Sequence, residues 1–133
     1  MTVDVVTLAG SSAVPLGVGL ALVAVLVGRV RWIATIASVV APKSIDYIVS
    51  NHAEVDHSGS LTEVIDAIKP EKVFASVAGV KALSEHFEMP QEVIGVANGE
   101  SLSLGNMNLK FIHTPMLHWP ESMVSYLAEQ QIL

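Results

Sequence analysis

Short apolar runs alternate with segments of helical periodicity over residues 43–133 of the chain. "SIDYIVSN" is an apolar run of the length expected for a buried strand. "SLTEVIDAIKP" places apolar residues at positions 61, 64, 65 and 68, which is helical spacing, and Pro70 predicts the end of that helix. Ser58 or Ser60 is expected to cap it, because a serine oxygen can accept a hydrogen bond from a free amide of the first turn.

The same alternation continues toward the C-terminus. "EKVFASV" predicts a second strand and "AGVKALSEHF" a second helix. "EVIGVANGESLSLGNMNLKFIHTP" predicts strands joined by turns at Asn98-Gly99 and Gly105-Asn106, and "SMVSYLAEQQIL" predicts a strand, a turn and the start of another strand. Strands that first alternate with helices and then follow one another indicate a layered α/β (α+β) domain.

The first third of the chain has a different composition. Residues 1–42 contain three charged residues, Asp4, Arg29 and Arg31, whereas residues 43–133 contain five basic and twelve acidic residues. The uncharged run over residues 5–28 is long enough for a membrane-spanning helix, which needs about 20 apolar residues. The two arginines that follow would then keep the remainder cytoplasmic.

Two other interpretations of this apolar segment stay open. It could be a buried core element, or it could be a sequence that results from a shifted reading frame or a wrong gene start. Pro15, Gly17 and Gly19 interrupt a regular helical or strand pattern. We therefore divide the chain into residues 1–35, of uncertain status, and 36–133, and we expect that residues 1–35 do not form paired opening strands of a sandwich.

Length, charge and cysteine content narrow the function classes. A chain of 133 residues is long enough for one domain with a core. There is no cysteine, so any metal must be bound by nitrogen and oxygen atoms. A formal net charge of −6 argues against a nucleic-acid partner.

The densest group of metal-type donors is "HAEVDHSG", which carries His52, Glu54, Asp56 and His57. It begins where the predicted strand ends, and loops at strand ends of α/β folds can bring several side chains to one point. Neutral imidazole together with carboxylate suits Fe, Mn or Zn. The alternative is a solvated polar loop whose histidines cap the next helix.

The His-x-Glu-x-Asp-His form of this motif resembles the flavodiiron proteins, also called rubredoxin:oxygen oxidoreductases or flavorubredoxins. Metallo-β-lactamase-fold enzymes in general carry His-x-His-x-Asp-His instead. "PKSIDYIVSNHAEVDHSGSL", "PEKVFAS", "GESLSLGNMNLKF" and "MLHWPESMVSYL" are similar to the flavodiiron family in order and spacing. The resemblance covers residues 36–133 and implies a partial metallo-β-lactamase-like αββα sandwich, truncated after roughly its first half.

The resemblance also implies a set of iron ligands. His52, Glu54 and His118 would hold one iron, and Asp56 and His57 would hold the other. In the family, a bridging aspartate, a further histidine and the FMN-binding domain all lie downstream of the segment that this chain covers. No FMN-binding residue is therefore assigned here, and we expect the chain alone to lack catalytic activity.

The function that the resemblance implies is reduction of O2 to water, of NO to N2O, or of both, with electrons from FMN. Rubredoxin or a flavin reductase would donate electrons, and the family implies a homodimer, with a cytoplasmic location. The alternatives are a metal-dependent hydrolase of the metallo-β-lactamase fold and an inactive fragment. Glu54 argues against the hydrolase, because a hard anionic oxygen donor favours iron over zinc.

The remaining aromatic and imidazole side chains are weaker candidates. We expect His113 to be a strand or loop residue and His86 to be a structural or surface residue on its helix. Trp119 is expected either to pack beside the metal pocket or to serve as a core aromatic residue.

Overall fold

The computed structural model describes residues 4–9, 19–23 and 29–133, with side chains described from residue 33 onward. The described residues form eight strands, four α-helices and two 3₁₀ turns. The strands are β1 (Asp4–Ala9), β2 (Gly19–Val23), β3 (Tyr47–Ser50), β4 (Lys72–Ser76), β5 (Val93–Val96), β6 (Ser101–Ser103), β7 (Asn108–His113) and β8 (Met123–Leu127). The helices are α1 (Arg29–Ala37), α2 (Val55–Ser58), α3 (Leu61–Ile68) and α4 (Val77–His86), and the 3₁₀ turns are Pro42–Ser44 and Ala128–Gln130.

The strands are arranged in two sheets. The first has the order β2-β1-β3-β4-β5, in which β3, β4 and β5 are parallel and β1 is antiparallel to both of its neighbours. Helices α2 and α3 connect β3 to β4, and α4 connects β4 to β5, as parallel pairing requires a crossover. The second sheet, β6-β7-β8, is antiparallel throughout.

The central strands are buried on both faces because successive side chains of a strand point in opposite directions. Ile48 and Val73 join a core cluster with the helices, whereas their neighbours Val49 and Phe74 join a second cluster with the other sheet. The result is three layers, helices on sheet on sheet. The layering confirms the predicted α/β class, and the described residues form no helical layer on the outer face of the second sheet.

Most predicted elements of residues 43–133 are present at the predicted places. The turns are confirmed by the left-handed backbone of Gly99 and Gly105, whose φ values are +83° and +90°. The capping prediction is wrong. Ser60 stands at the N-cap of α3 but makes no side-chain capping bond, and the Ser58 hydroxyl donates to the carbonyl oxygens of Ala53 and Glu54 instead.

The expectation that residues 1–35 do not form paired opening strands is wrong. β1 pairs with β2 from Asp4–Val23 to Leu8–Gly19, and its other edge pairs with β3. "DVVTLA" and "GLALV" are each short enough for one strand, and β3 supplies the backbone partners that an isolated hairpin lacks. Of the three residues expected to interrupt a regular pattern, Gly19 is the first residue of β2, and Pro15 and Gly17 lie outside the described residues.

Residues 5–9 and 19–23 of the segment interpreted as a membrane-spanning helix lie in strands β1 and β2. Over the described parts of the chain, no helix has both the length and the apolar character needed to cross a membrane. The boundary placed after residue 35 lies within α1, whose Ile36 is buried in the helix-side core.

Candidate metal centre

The predicted donors lie at one edge of the two sheets. His52 follows the carboxyl end of β3, α2 carries Asp56 and His57, and His118 lies in the loop between β7 and β8. Asn51 connects the two sheets at this edge. The Met123 backbone N–H donates to the Asn51 carbonyl oxygen at 3.0 Å, and the Ser125 hydroxyl donates to its side-chain oxygen at 2.8 Å.

Four of the predicted residues come together. His52, Glu54, His57 and His118 each offer one ligand atom, and these four atoms lie within 4.8 Å of one another. Glu54 is at the centre, because its Oε2 lies 3.1 Å from Nε2 of His52, 3.3 Å from Nε2 of His118 and 3.9 Å from Nε2 of His57. The expectation that His118 and His52 share one side of the fold is confirmed, and their ring centroids are 4.9 Å apart.

The surroundings of Glu54 favour its charged form. Hydrogen bonding with His52 is the largest influence and lowers the pKa of the Glu54 carboxyl, and hydrogen bonding with His118 acts in the same direction. Partial desolvation opposes them, and the net result is a pKa below the ordinary value of 4.5. The centre of the cluster is therefore an anionic oxygen at neutral pH.

The donor set fits a divalent transition metal. A carboxylate oxygen and an imidazole lone pair repel each other unless a proton or a cation lies between them. Glu54 Oε2 faces three imidazole nitrogens, so its surroundings require several such protons or one cation. One hard anionic oxygen with imidazole nitrogens is a donor set that suits iron, manganese or zinc.

Asp56 lies at the margin of the cluster. Its side chain is 60% exposed, and its Oδ2 is 3.4 Å from Nε2 of His57, but it does not belong to the group of four. It occupies the first turn of α2, where its side chain is largely in solvent. The assignment of Asp56 and His57 to a second iron stays a prediction.

The other candidates take the places expected of structural residues. The His113 ring nitrogen Nε2 lies 3.0 Å from the Val96 carbonyl oxygen, and His86 is exposed on α4. Trp119 is 47% exposed, with its ring centroid 6.3 Å from that of His52. Of its two predicted places, the one beside the cluster of candidate ligands is observed, and the one in the core is not.

Glu121 is a residue of the site to which the sequence assigned no role. It is 7% exposed, and its Oε1 lies 2.6 Å from Nδ1 of His52. The same oxygen accepts a hydrogen bond from the Ala53 backbone N–H at 3.2 Å. Glu121 stands three residues after His118 and two residues before β8, and no local pattern marks it as a partner of His52.

Replacing Gly59 with alanine should disturb the motif loop. A Cβ at this position would lie 2.5 Å from the Val55 carbonyl oxygen, so the backbone of α2 would have to shift. We expect a loss of about 1–3 kcal/mol in the free energy of unfolding, the usual cost of an overpacked site. Urea denaturation measures it, with Gly95→Ala as the matched control, because a Cβ there meets its nearest atoms at 3.4 Å. An equal loss in the two variants would contradict the expectation.

Comparison with known proteins assigns the chain to a family. The model of the ODP family beta lactamase matches residues 30–133. The rubredoxin-oxygen oxidoreductase of Megalodesulfovibrio gigas is 50% identical over 101 residues, which cover 74% of this chain and 25% of that protein. An anaerobic nitric oxide reductase flavorubredoxin of Aeromonas hydrophila is 38% identical over 105 residues, covering 77% of this chain and 21% of the relative.

The similarity extends to three dimensions. The solved structure of rubredoxin oxygen:oxidoreductase from Desulfovibrio gigas superimposes with a TM-score of 0.72 at 47% identity, covering 76% of this chain and 25% of that one. This chain thus spans about a quarter of the length of the relatives that it matches. The chain belongs to the ODP family of β-lactamase-like domains, and the relatives that it matches include flavodiiron proteins.

Proposed function

We propose that this chain is part of a flavodiiron oxidoreductase and that His52, Glu54 and His118 hold a non-haem iron in it. Asp56 and His57 are proposed as ligands of a second iron. The observation that carries the proposal is the single Glu54 oxygen that faces three imidazole nitrogens. Such a carboxylate stands where metallo-β-lactamase-fold hydrolases in general have an imidazole, and its anionic oxygen favours iron.

The proposed reaction is reduction of O2 to water, of NO to N2O, or of both. One relative is named as a rubredoxin-oxygen oxidoreductase and another as a nitric oxide reductase flavorubredoxin, which supports both substrates. Electrons would come from FMN, supplied in turn by rubredoxin or a flavin reductase, and the assembly would be a homodimer. When bound, iron supplies the capacity for electron transfer that amino-acid side chains lack.

The residues of this chain would hold the metal in place, balance its charge and leave a route for the substrate. His52 is buried with 3% of its side chain exposed and would fix the inner side of the site, whereas His118 is 49% exposed at its mouth. Glu54 would supply negative charge to balance the cation. A small diatomic substrate could enter on the His118 side without displacing the inner ligand.

A chimera tests the proposal in the context of a complete relative. The matching segment of the Megalodesulfovibrio gigas protein is replaced by this chain, and consumption of O2 and of NO is measured with a supplied electron donor. We expect sustained consumption of at least one of the two gases by the chimera. The matched chimera that carries Glu54→Gln should show little. A folded, iron-loaded chimera that is no faster than its Glu54→Gln control would overturn the proposal.

A further inference from the structure

We infer that Glu121 is a positioning residue, which holds the His52 ring so that Nε2 is the nitrogen offered to the metal. The inference rests on the proposed function, because it concerns the same site. It adds a residue that is not among the proposed ligands and gives that residue a specific task.

The contact between the two side chains is close and buried. Nδ1 of His52 lies 2.6 Å from Oε1 of Glu121, and the side chains are 3% and 8% exposed. The contact falls outside hydrogen-bond geometry, and Nδ1 has no hydrogen-bond partner among the described residues. A carboxylate oxygen is thus the one acceptor that this buried nitrogen meets.

The contact with Glu121 determines which ring nitrogen of His52 is offered to a metal. Two lone pairs at 2.6 Å would repel each other, so Nδ1 carries a proton toward Glu121. Nε2, 3.1 Å from Glu54 Oε2, is then the nitrogen that can exchange its proton for a metal, because the neutral ring keeps its one N–H group at Nδ1. Metal-binding histidines commonly donate their second ring nitrogen to a carboxylate in this way.

Glu121 is itself held by two other parts of the fold. Its Oε1 accepts the Ala53 backbone N–H, one residue after His52. Its carbonyl oxygen accepts the Ser76 hydroxyl at 2.6 Å, at the end of β4. Ser76 in turn caps α4 by accepting the Gly79 backbone N–H. The carboxylate therefore occupies a fixed position before any metal binds.

The position of Glu121 also differs from that of a metal ligand. The Glu121 carboxylate contacts Nδ1, on the far side of the His52 ring from the nitrogen that meets Glu54. Glu121 is also absent from the group of residues whose ligand atoms lie within 4.8 Å of one another. It acts on the metal through His52.

Two substitutions in the full chain test the inference. Glu121→Leu removes the acceptor, and Glu121→Gln keeps a side-chain oxygen that can accept from Nδ1. Ferrous iron affinity is measured anaerobically by competition with a chelator. We expect Glu121→Leu to bind iron about 10–100-fold more weakly, as is typical when the partner of a metal-binding histidine is lost. Glu121→Gln should recover most of the affinity.

Ser76→Ala is the matched control. It removes the hydrogen bond to the Glu121 backbone and the cap of α4 but keeps the carboxylate, whose Oε1 still accepts the Ala53 backbone N–H. We expect it to lower the stability of the fold more than the iron affinity. A loss of affinity as large as that of Glu121→Leu would assign Glu121 a general structural role and overturn the inference.

Nitrogen-15 NMR of the metal-free chain gives a readout that does not depend on iron. We expect Nδ1 of His52 to carry a proton in the wild type and in Glu121→Gln, and to lose it to Nε2 in Glu121→Leu. A wild-type spectrum with Nδ1 unprotonated overturns the inference, even where Glu121→Leu does not fold. A wild type that binds no iron but has Nδ1 protonated sinks the proposed function and leaves the positioning role of Glu121 standing.

Discussion

Replacing Glu54 with alanine should lower the iron affinity of the chain by more than about 100-fold, beyond the 10–100-fold typical of a residue that supports a ligand. The reason is charge as well as geometry. Glu54 provides the oxygen around which His52, His57 and His118 are arranged, and it is the only carboxylate in that group of four. Without it, the ligand atoms left in the group are imidazole nitrogens, which would hold a dication in a partly buried site with less compensating charge.

Glu54→Gln separates these two contributions. It keeps the size of the side chain and one carbonyl oxygen but removes the charge, so we expect an affinity between those of wild type and Glu54→Ala. Glu129→Gln is the control, because Glu129 is an exposed carboxylate whose hydrogen bonds go to Asn108 in the second sheet. Chelator competition measures all of the variants. Wild-type affinity in Glu54→Ala would remove Glu54 from the site.

The second large effect that we expect is that the chain alone shows no catalytic turnover. The chain alone, loaded with ferrous iron and given a chemical reductant, should show no sustained consumption of O2 or NO. The ligands proposed for a second iron are only Asp56 and His57, and Asp56 is 60% exposed. Metal affinity depends on ligands that are already in place, so the second ion should be weakly held. The reduction also needs several electrons, and no FMN-binding residue is assigned in this chain.

Gas electrodes measure this turnover, and elemental analysis after desalting measures the iron that each chain retains. The chimera with the Megalodesulfovibrio gigas relative is the positive control, because it restores the rest of the protein around the same residues. Two tightly bound irons per chain together with sustained consumption by the chain alone would contradict the expectation.

The sequence predicted the central part of the fold and missed its first strands. Ile48 and Val49 face opposite layers, as a continuous apolar run predicts, and α3 buries residues at helical spacing. Residues 4–9 and 19–23 are equally apolar, but a short apolar run does not distinguish strand from helix. Their strand form depends on tertiary pairing, because β1 pairs with β3, about 40 residues away, and β2 pairs with β1, and no local pattern records either partner.

The residues of the candidate site were likewise predicted only in part from the sequence. His52, Glu54 and His57 lie within one short motif, so their spacing was enough to single them out. His118 is 64 residues from Glu54 and could be joined to it only through the resemblance to a family. Glu121 meets the Ala53 backbone across 68 residues, and a lone glutamate before a strand has no local feature that predicts such a contact.

The central claim is that the cluster around Glu54 is an iron site, and competition between metals tests it most directly. The full chain is equilibrated anaerobically with equal, limiting amounts of ferrous iron and zinc, desalted and analysed for both metals, with Glu54→Ala treated in parallel. The account predicts that the wild type retains iron and that Glu54→Ala retains little, so that the ratio of iron to zinc falls in the variant. Retention of zinc alone, or equal iron in both proteins, would contradict it.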